Sequence, residues 1–225
     1  MGKSFGETEW LTGGRLSAML AFVRHRASAR QLRLLGCASC RQIWELLPEE
    51  RHRRLVTISE AYADGLCSVE DLRQAVEEAG TVIPSLYPGA SREQKIRHLA
   101  ERAAKQTGTV YSVVYAGEAA QLASPGAKTW QPLAALVREV FGNPFRAVQV
   151  EHTWLTTNVV QLARTIYEEG AFDRLPILAD ALMDAGCDNE DILAHCRSTG
   201  PHVRGCWVVD LLLAKEQHQG RTIRA

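Results

Sequence analysis

Ser28-Ala-Arg-Gln-Leu-Arg-Leu-Leu-Gly-Cys-Ala-Ser-Cys-Arg-Gln-Ile-Trp-Glu-Leu-Leu47 is the stretch that decides the fold class. Ser28 with Gln31 three residues on has the form of a capping box, each side chain serving the other's backbone N–H. Beyond it Leu32, Leu35, Cys40, Ile43, Trp44 and Leu47 recur close to the i, i+3, i+4 spacing of a helix that buries one face. Pro48 closes that helix and suits the start of the next.

The same grammar extends in both directions. Upstream, Leu16, Met19, Leu20 and Val23 share a helical face. Downstream, Leu55, Ile58, Tyr62 and Leu66 continue the pattern, with Gly65 at a C′ position. Ser68…Asp71 and Ser91…Gln94 are further capping boxes, the first opening a helix closed by Gly80 and the second one reaching about Gln106. Thr109 to Tyr115 is ambiguous: β-branched and aromatic residues favour a strand, but a lone strand has no partner, so helix is the reading. Val148 to Trp154 can be extended. Helices follow at Pro132–Phe141, Thr157–Glu169, Pro176–Ala185, about Asn189–Arg197 and, most apolar of all, Val203–Lys215. The expectation is an all-α fold, one compact multi-helix domain of about nine or ten helices over residues 8–217. Segments 81–90 and 124–130 are its surface loops, and 1–7 and 218–225 flexible tails.

Composition agrees with a globular chain. Of 225 residues, 46% are hydrophobic and 23% charged, and the 26 Lys+Arg equal the 26 Asp+Glu. That balance removes the overall positive charge typical of a nucleic-acid binder. No signal peptide opens the chain and no uninterrupted apolar run is long enough to span a bilayer, so the expected setting is cytoplasmic, off the membrane, with reduced thiols.

Cys37-Ala-Ser-Cys40 is a CxxC, but it lies well inside its helix, beyond the dipole that would acidify a redox thiol. Small apolar residues at i and i+3 that let helices approach closely explain it better. The C-terminal stretch Cys187 to Trp207 is richer. His202 and Cys206, four apart, suit zinc, with Cys196 or His195 as a third ligand across the Gly200-Pro201 turn and Cys37 or Cys40 from elsewhere in the fold. His195 and Cys196 do not readily both serve, because adjacent helical residues point about 100° apart. A thiol triad of His202, Cys206 and Asp210 has its members in the wrong order, since the base must stand between the other two. The alternative is a structural polar cluster of His195, His202, Arg204 and Asp210. Asp210 sits in an apolar helix and needs a donor, with Arg33, Arg41, Arg146 and Arg174 as candidates. Trp44 and Trp207 are expected in the core, where the stripes 32–47 and 203–213 would pack together. Nine arginines before residue 60 make the first quarter locally basic, without the aromatic interleaving or motif of a nucleic-acid reader. No P-loop, HExxH or GxSxG is present.

Two regions carry a resemblance. Trp10-Leu with Arg30–Leu47 is one. The other runs from Phe141-Gly-Asn-Pro-Phe-Arg146 through Phe172–Asp180 and Cys187–Arg197 to His202-Val-Arg-Gly-Cys-Trp-Val-Val-Asp210. Together they resemble a cytoplasmic family abundant in planctomycete bacteria, to which no activity is assigned. The resemblance therefore implies no catalytic residue. Ser39 stands where that family often has Cys, which speaks against an essential metal role for residues 36–40. The function expected is a non-enzymatic helical interaction or scaffold module with a protein partner. The alternatives are a zinc-binding or enzymatic protein centred on His195–Asp210, and a nucleic-acid binder using the basic N-terminal helices.

Overall fold

A computed structural model of the chain describes residues 5–13, 15–47, 49–80, 89–126, 130–146, 148–215 and 223–224. These residues form an all-α fold. Its helices are α1 (Glu7–Thr12), α2 (Leu16–Val23), α3 (Ala29–Gln42), α4 (Glu50–Ala63), α5 (Val69–Glu78), α6 (Arg92–Lys105) and α7 (Tyr111–Ala123). They continue with α8 (Trp130–Phe141), α9 (Thr157–Glu169), α10 (Leu175–Asp184), α11 (Glu190–Arg197) and α12 (Trp207–Leu212). Twelve α-helices among the described residues is slightly more than the nine or ten expected. The ambiguous 109–115 stretch is helical from Tyr111 on, with Thr109 and Val110 in the turn before it. Val150–Glu151 (β1) is extended and pairs in parallel with Ile223–Arg224 (β2) of the C-terminal tail. Most of the 81–90 loop, part of 124–130 and the outermost tail residues lie outside the described residues. No described helix is long and apolar enough to cross a membrane.

The chain divides into two compact units, Gly14–Val137 and Met1–Gly13 with Arg138–Ala225. The two strong apolar stripes, expected to share one core, each pack within their own unit. Cys37, Cys40, Ile43 and Leu47 pack with Val56, Ala100, Ala103, Ala104, Ala116 and Ala119. Trp207, Val208, Val209, Leu211 and Leu212 pack with Trp154, Val159, Ile166, Leu175, Leu178 and Ile192. A stripe needs only one matching face, and each finds it among nearby helices.

In the first unit the capping boxes form as read. Gln31 N–H donates to Ser28 Oγ at 3.0 Å and Ser28 N–H to Gln31 Oε1 at 3.1 Å. Ser68 and Ser91 do the same with Asp71 and Gln94. Close approach rests on small residues: a Cβ on Gly36 would lie 2.4 Å from the Thr107 carbonyl oxygen, and Ser112 Oγ donates to the carbonyls of Gly36 and Ala103 at 3.2 and 2.8 Å. Helix α3 ends at Gln42, and a 3₁₀ turn over Trp44–Leu46 follows. That turn leaves Trp44 half-buried, packed against the edge of this core cluster with the Arg41 guanidinium 4.3 Å from its ring centre, and so less enclosed than expected.

In the second unit the last helix is shorter than the 203–215 anticipated. Gly205 has φ +93°, outside the helical region, and Cys206 N–H donates to Val203 O at 2.9 Å to close a turn. Helix α12 therefore starts only at Trp207, which is buried as expected. Trp10 Nε1–H reaches the Gly142 carbonyl at 2.8 Å, and Arg138 caps the carbonyls of Trp10 and Gly13, so α1 is tied to the end of α8.

Candidate metal centre

Three local structures of the second unit aim four side chains at one point. The end of α8 buries Leu136, Val137, Val140 and Phe141 and places Glu139 at 4% exposure. The last turn of α11 supplies His195. The turn after Gly200-Pro201 supplies His202 and, through the left-handed Gly205, Cys206 at the N-cap of α12. One ligand atom from each of Glu139, His195, His202 and Cys206 lies within 4.8 Å of all the others.

The edges of this group are short. His202 Nδ1 is 3.1 Å from Glu139 Oε2, His195 Nε2 is 3.3 Å from the same oxygen, and His195 Nε2 is 3.2 Å from Cys206 Sγ. Zinc bonds of ~2.0 Å to nitrogen or oxygen and ~2.3 Å to sulfur make tetrahedron edges of roughly 3.3–3.7 Å. The group is within a few tenths of an ångström of that size along these edges.

Outer contacts orient the rings. His202 Nε2–H donates to the Ser198 carbonyl at 3.0 Å, which turns Nδ1 inward. A backbone carbonyl on the outer nitrogen is the usual second partner of a metal-binding imidazole. His195 is held differently, because Trp207 Nε1–H donates to its Nδ1 at 3.0 Å. That bond uses the Nδ1 lone pair, so the neutral ring carries its proton on Nε2, facing Glu139 and Cys206.

Protons can fill the same positions as a cation. Burial disfavours a charged His202, but Glu139 and the Ser198 carbonyl outweigh it and raise its pKa. Burial, reinforced by Glu139, pushes the Cys206 thiol well up. With Glu139 ionised, His202 as imidazolium and Cys206 as thiol, the group is neutral overall. A divalent ion replacing the His202 and Cys206 protons leaves it neutral again. Either occupant thus satisfies the requirement that buried charges be paired.

The structure sorts the residues singled out in the sequence. His195, His202 and Cys206 come together. His202 and Cys206 do so through the 203–206 turn and not through a shared helix face. Of the adjacent pair, His195 turns inward, while Cys196 is buried in the apolar cluster with its thiol pushed up to about 12 by burial. Cys37 and Cys40 belong to the first unit. Their thiols lie 3.6 Å from the Val56 carbonyl and from Ser112 Oγ, both with raised pKa through burial. They are no part of the centre. Arg204 lies over the Tyr167 ring at 4.8 Å, and Asp210 is buried at 1% exposure on α12, so neither joins the four. None of the arginines considered for Asp210 pairs with it. Arg41 bonds Glu60, Arg33 lies over Tyr62, Arg146 bonds Glu7 and approaches Asp191, and Arg174 bonds Glu169.

Glu139 is the residue that sequence reasoning missed. A signal was present in the sequence, a carboxylate in a mostly apolar helical segment, Leu136-Val-Arg-Glu-Val-Phe141, but Arg138 beside it makes it weaker than that of Asp210. Four of the nine arginines of the basic first quarter have acidic partners, Arg30 on Asp64, Arg41 on Glu60, Arg51 on Glu49 and Arg54 on Glu78. A second grouping, Glu49, His52 and Glu101, already has Arg97 bridging its two carboxylates. No family model, curated protein or solved structure matches the chain.

Proposed function

We propose that the protein is a non-enzymatic helical module whose second unit is fastened by one zinc ion held by Glu139, His195, His202 and Cys206. The convergence of four donor atoms of zinc-binding types on one buried point carries this reading. A structural role is supported by closure: Cys206 is fully buried, and the side chains of Glu139 and His202 are 3% and 10% exposed. Four protein ligands leave no open position for a substrate. The cleft of about 310 Å³ beside the group, lined by Phe172, Asp173, Pro176 and Ser198 among others, reaches only His202 of the four. The outer nitrogen of that ring is bonded to Ser198. A scaffold role for the protein as a whole, with a protein partner, fits a fold whose recognisable chemistry is enclosed in this way.

The test is metal analysis of protein purified without chelator or affinity tag, followed by zinc titration of the EDTA-treated protein. One zinc per chain, lost on Cys206→Ser and on His202→Gln, is the expected result. A protein that neither carries nor takes up zinc refutes the metal reading.

One observation favours a second reading, a metal-free polar clasp. For His195 Nε2 to bind zinc, its proton must move to Nδ1, against the Trp207 N–H. Trp207→Phe separates the two readings. It tightens zinc binding if zinc is the occupant; otherwise the protein still takes up no zinc, and the change costs one hydrogen bond of about 1 kcal/mol together with the cavity left by the smaller ring.

A further inference from the structure

We propose that the first unit holds a binding site for a small phosphorylated metabolite, in the cavity between α3, α4, α5 and the Gln106–Thr109 turn that precedes α7. The cavity measures about 320 Å³, at the small end of the usual range for ligand sites. Arg33, Lys105 and Thr109 are among its lining residues, together with the aliphatic Leu55, Leu72 and Val76. Among the described residues no carboxylate lines it.

Arg33 is the observation that points to an anion. It is half-buried, and among the described residues it bonds to no carboxylate, carbonyl or hydroxyl. Its neighbours in sequence and space, Arg30, Arg41, Arg51 and Arg54, each have an acidic partner. The guanidinium is nonetheless held in place. Its carbon stands 5.0 Å over the Tyr62 ring centre, and a Cβ on Gly108 would come within 3.2 Å of its Nη2. Gly108 is therefore what gives the guanidinium room against the turn. A fork of donors, partly withdrawn from water and left without an acceptor, is placed to take the oxygens of a phosphate in a bidentate grip.

Lys105 adds a second cation at the same cavity. It too forms no ion pair among the described residues, and burial lowers its pKa despite Glu101 one turn back. Thr107 and Ser59, which also line the cavity, bond each other through their hydroxyls at 3.1 Å. The ligand's charge is thus met by Arg33 and Lys105 and its carbon skeleton by Leu55, Leu72 and Val76. Two cations and three aliphatic side chains lining one cavity suit a phosphate ester better than free phosphate, which has nothing to lay against the aliphatic groups.

The experiment is isothermal titration of the full chain at fixed ionic strength with inorganic phosphate, glucose 6-phosphate and AMP, and with sodium chloride as the control. Saturable binding of at least one ester, tighter than that of inorganic phosphate and weakened tenfold or more in both Arg33→Gln and Lys105→Gln, is the result expected. The Lys105→Gln chain keeps the test informative if Arg33→Gln does not fold. Absence of saturable binding by either ester overturns the proposal, as does binding that survives both cavity substitutions or is no tighter for the esters than for inorganic phosphate.

Discussion

Glu139→Gln keeps the shape of the side chain and removes the one carboxylate of the buried group. In the metal-free protein Glu139 accepts from His202 Nδ1 at 3.1 Å, with His195 Nε2 at 3.3 Å and Val203 N–H at 3.4 Å. Breaking a buried charge pair on one side costs ~3–5 kcal/mol when the remaining charge has no escape. His202 has one, because it can release its proton, so the loss is set at about 2–3 kcal/mol in acid. It falls toward ~1 kcal/mol, the worth of a neutral hydrogen bond, in alkali. The direction follows from the raised pKa of His202. Its contribution is fully present below the unfolded value near 6.5 and disappears as pH rises through the higher folded value. For a unit of roughly 100 residues, 2–3 kcal/mol corresponds to a fall in Tm of about 10–15 °C. Calorimetry of EDTA-treated wild type and variant between about pH 5.5 and 8.5 measures this, across the titration range of an imidazole. The gap should be widest at the acid end. Zinc reverses the trend, because its ligands must shed protons, so the zinc-dependent gain in the wild type grows with pH. Equal melting of variant and wild type at every pH, or a gap in EDTA that widens with pH, would refute the pairing of Glu139 with a charged His202.

Gly36→Ala should destabilise the first unit by about 1–3 kcal/mol in urea unfolding, because the new methyl meets backbone at Thr107 and not a side chain that can swing away. Trp44→Ala should cost only ~1–2 kcal/mol, below the ~3–5 kcal/mol of a fully buried aromatic, since the ring is half-buried and covered on one face by Arg41; a larger loss would put Trp44 back in the core. Iodoacetamide at about pH 8 should label Cys67 first in the native protein, because the other five thiols are buried; peptide mass mapping that finds Cys37 or Cys40 modified before Cys67 would contradict their enclosure.

The division between what was legible in the sequence and what was not follows the range of the forces involved. Ser28, Ser68 and Ser91 cap their helices through bonds that span three residues, so the helix starts could be read directly. Gly65, Gly80 and Gly170 occupy positive-φ positions after helices for an equally local reason. The C-terminal grouping of His195, His202 and Cys206 was also within reach, since all three fall in one short stretch of chain.

Tertiary structure decided the rest. It sent the stripes of 32–47 and 203–213 to separate cores, because an apolar face specifies burial but not its partner. It turned His195 inward and left Cys196 in the apolar cluster, a choice set by how α11 packs against the core. It also brought Glu139 from more than fifty residues away to complete the group. Arg33 shows the same limit from the other side: in the sequence it is one of nine arginines in a basic run, and only the fold shows that Arg30, Arg41, Arg51 and Arg54 have acidic partners while Arg33, among the described residues, has none. Electrostatic pairing in a buried site depends on distance through space, and the order of residues along the chain does not encode that distance.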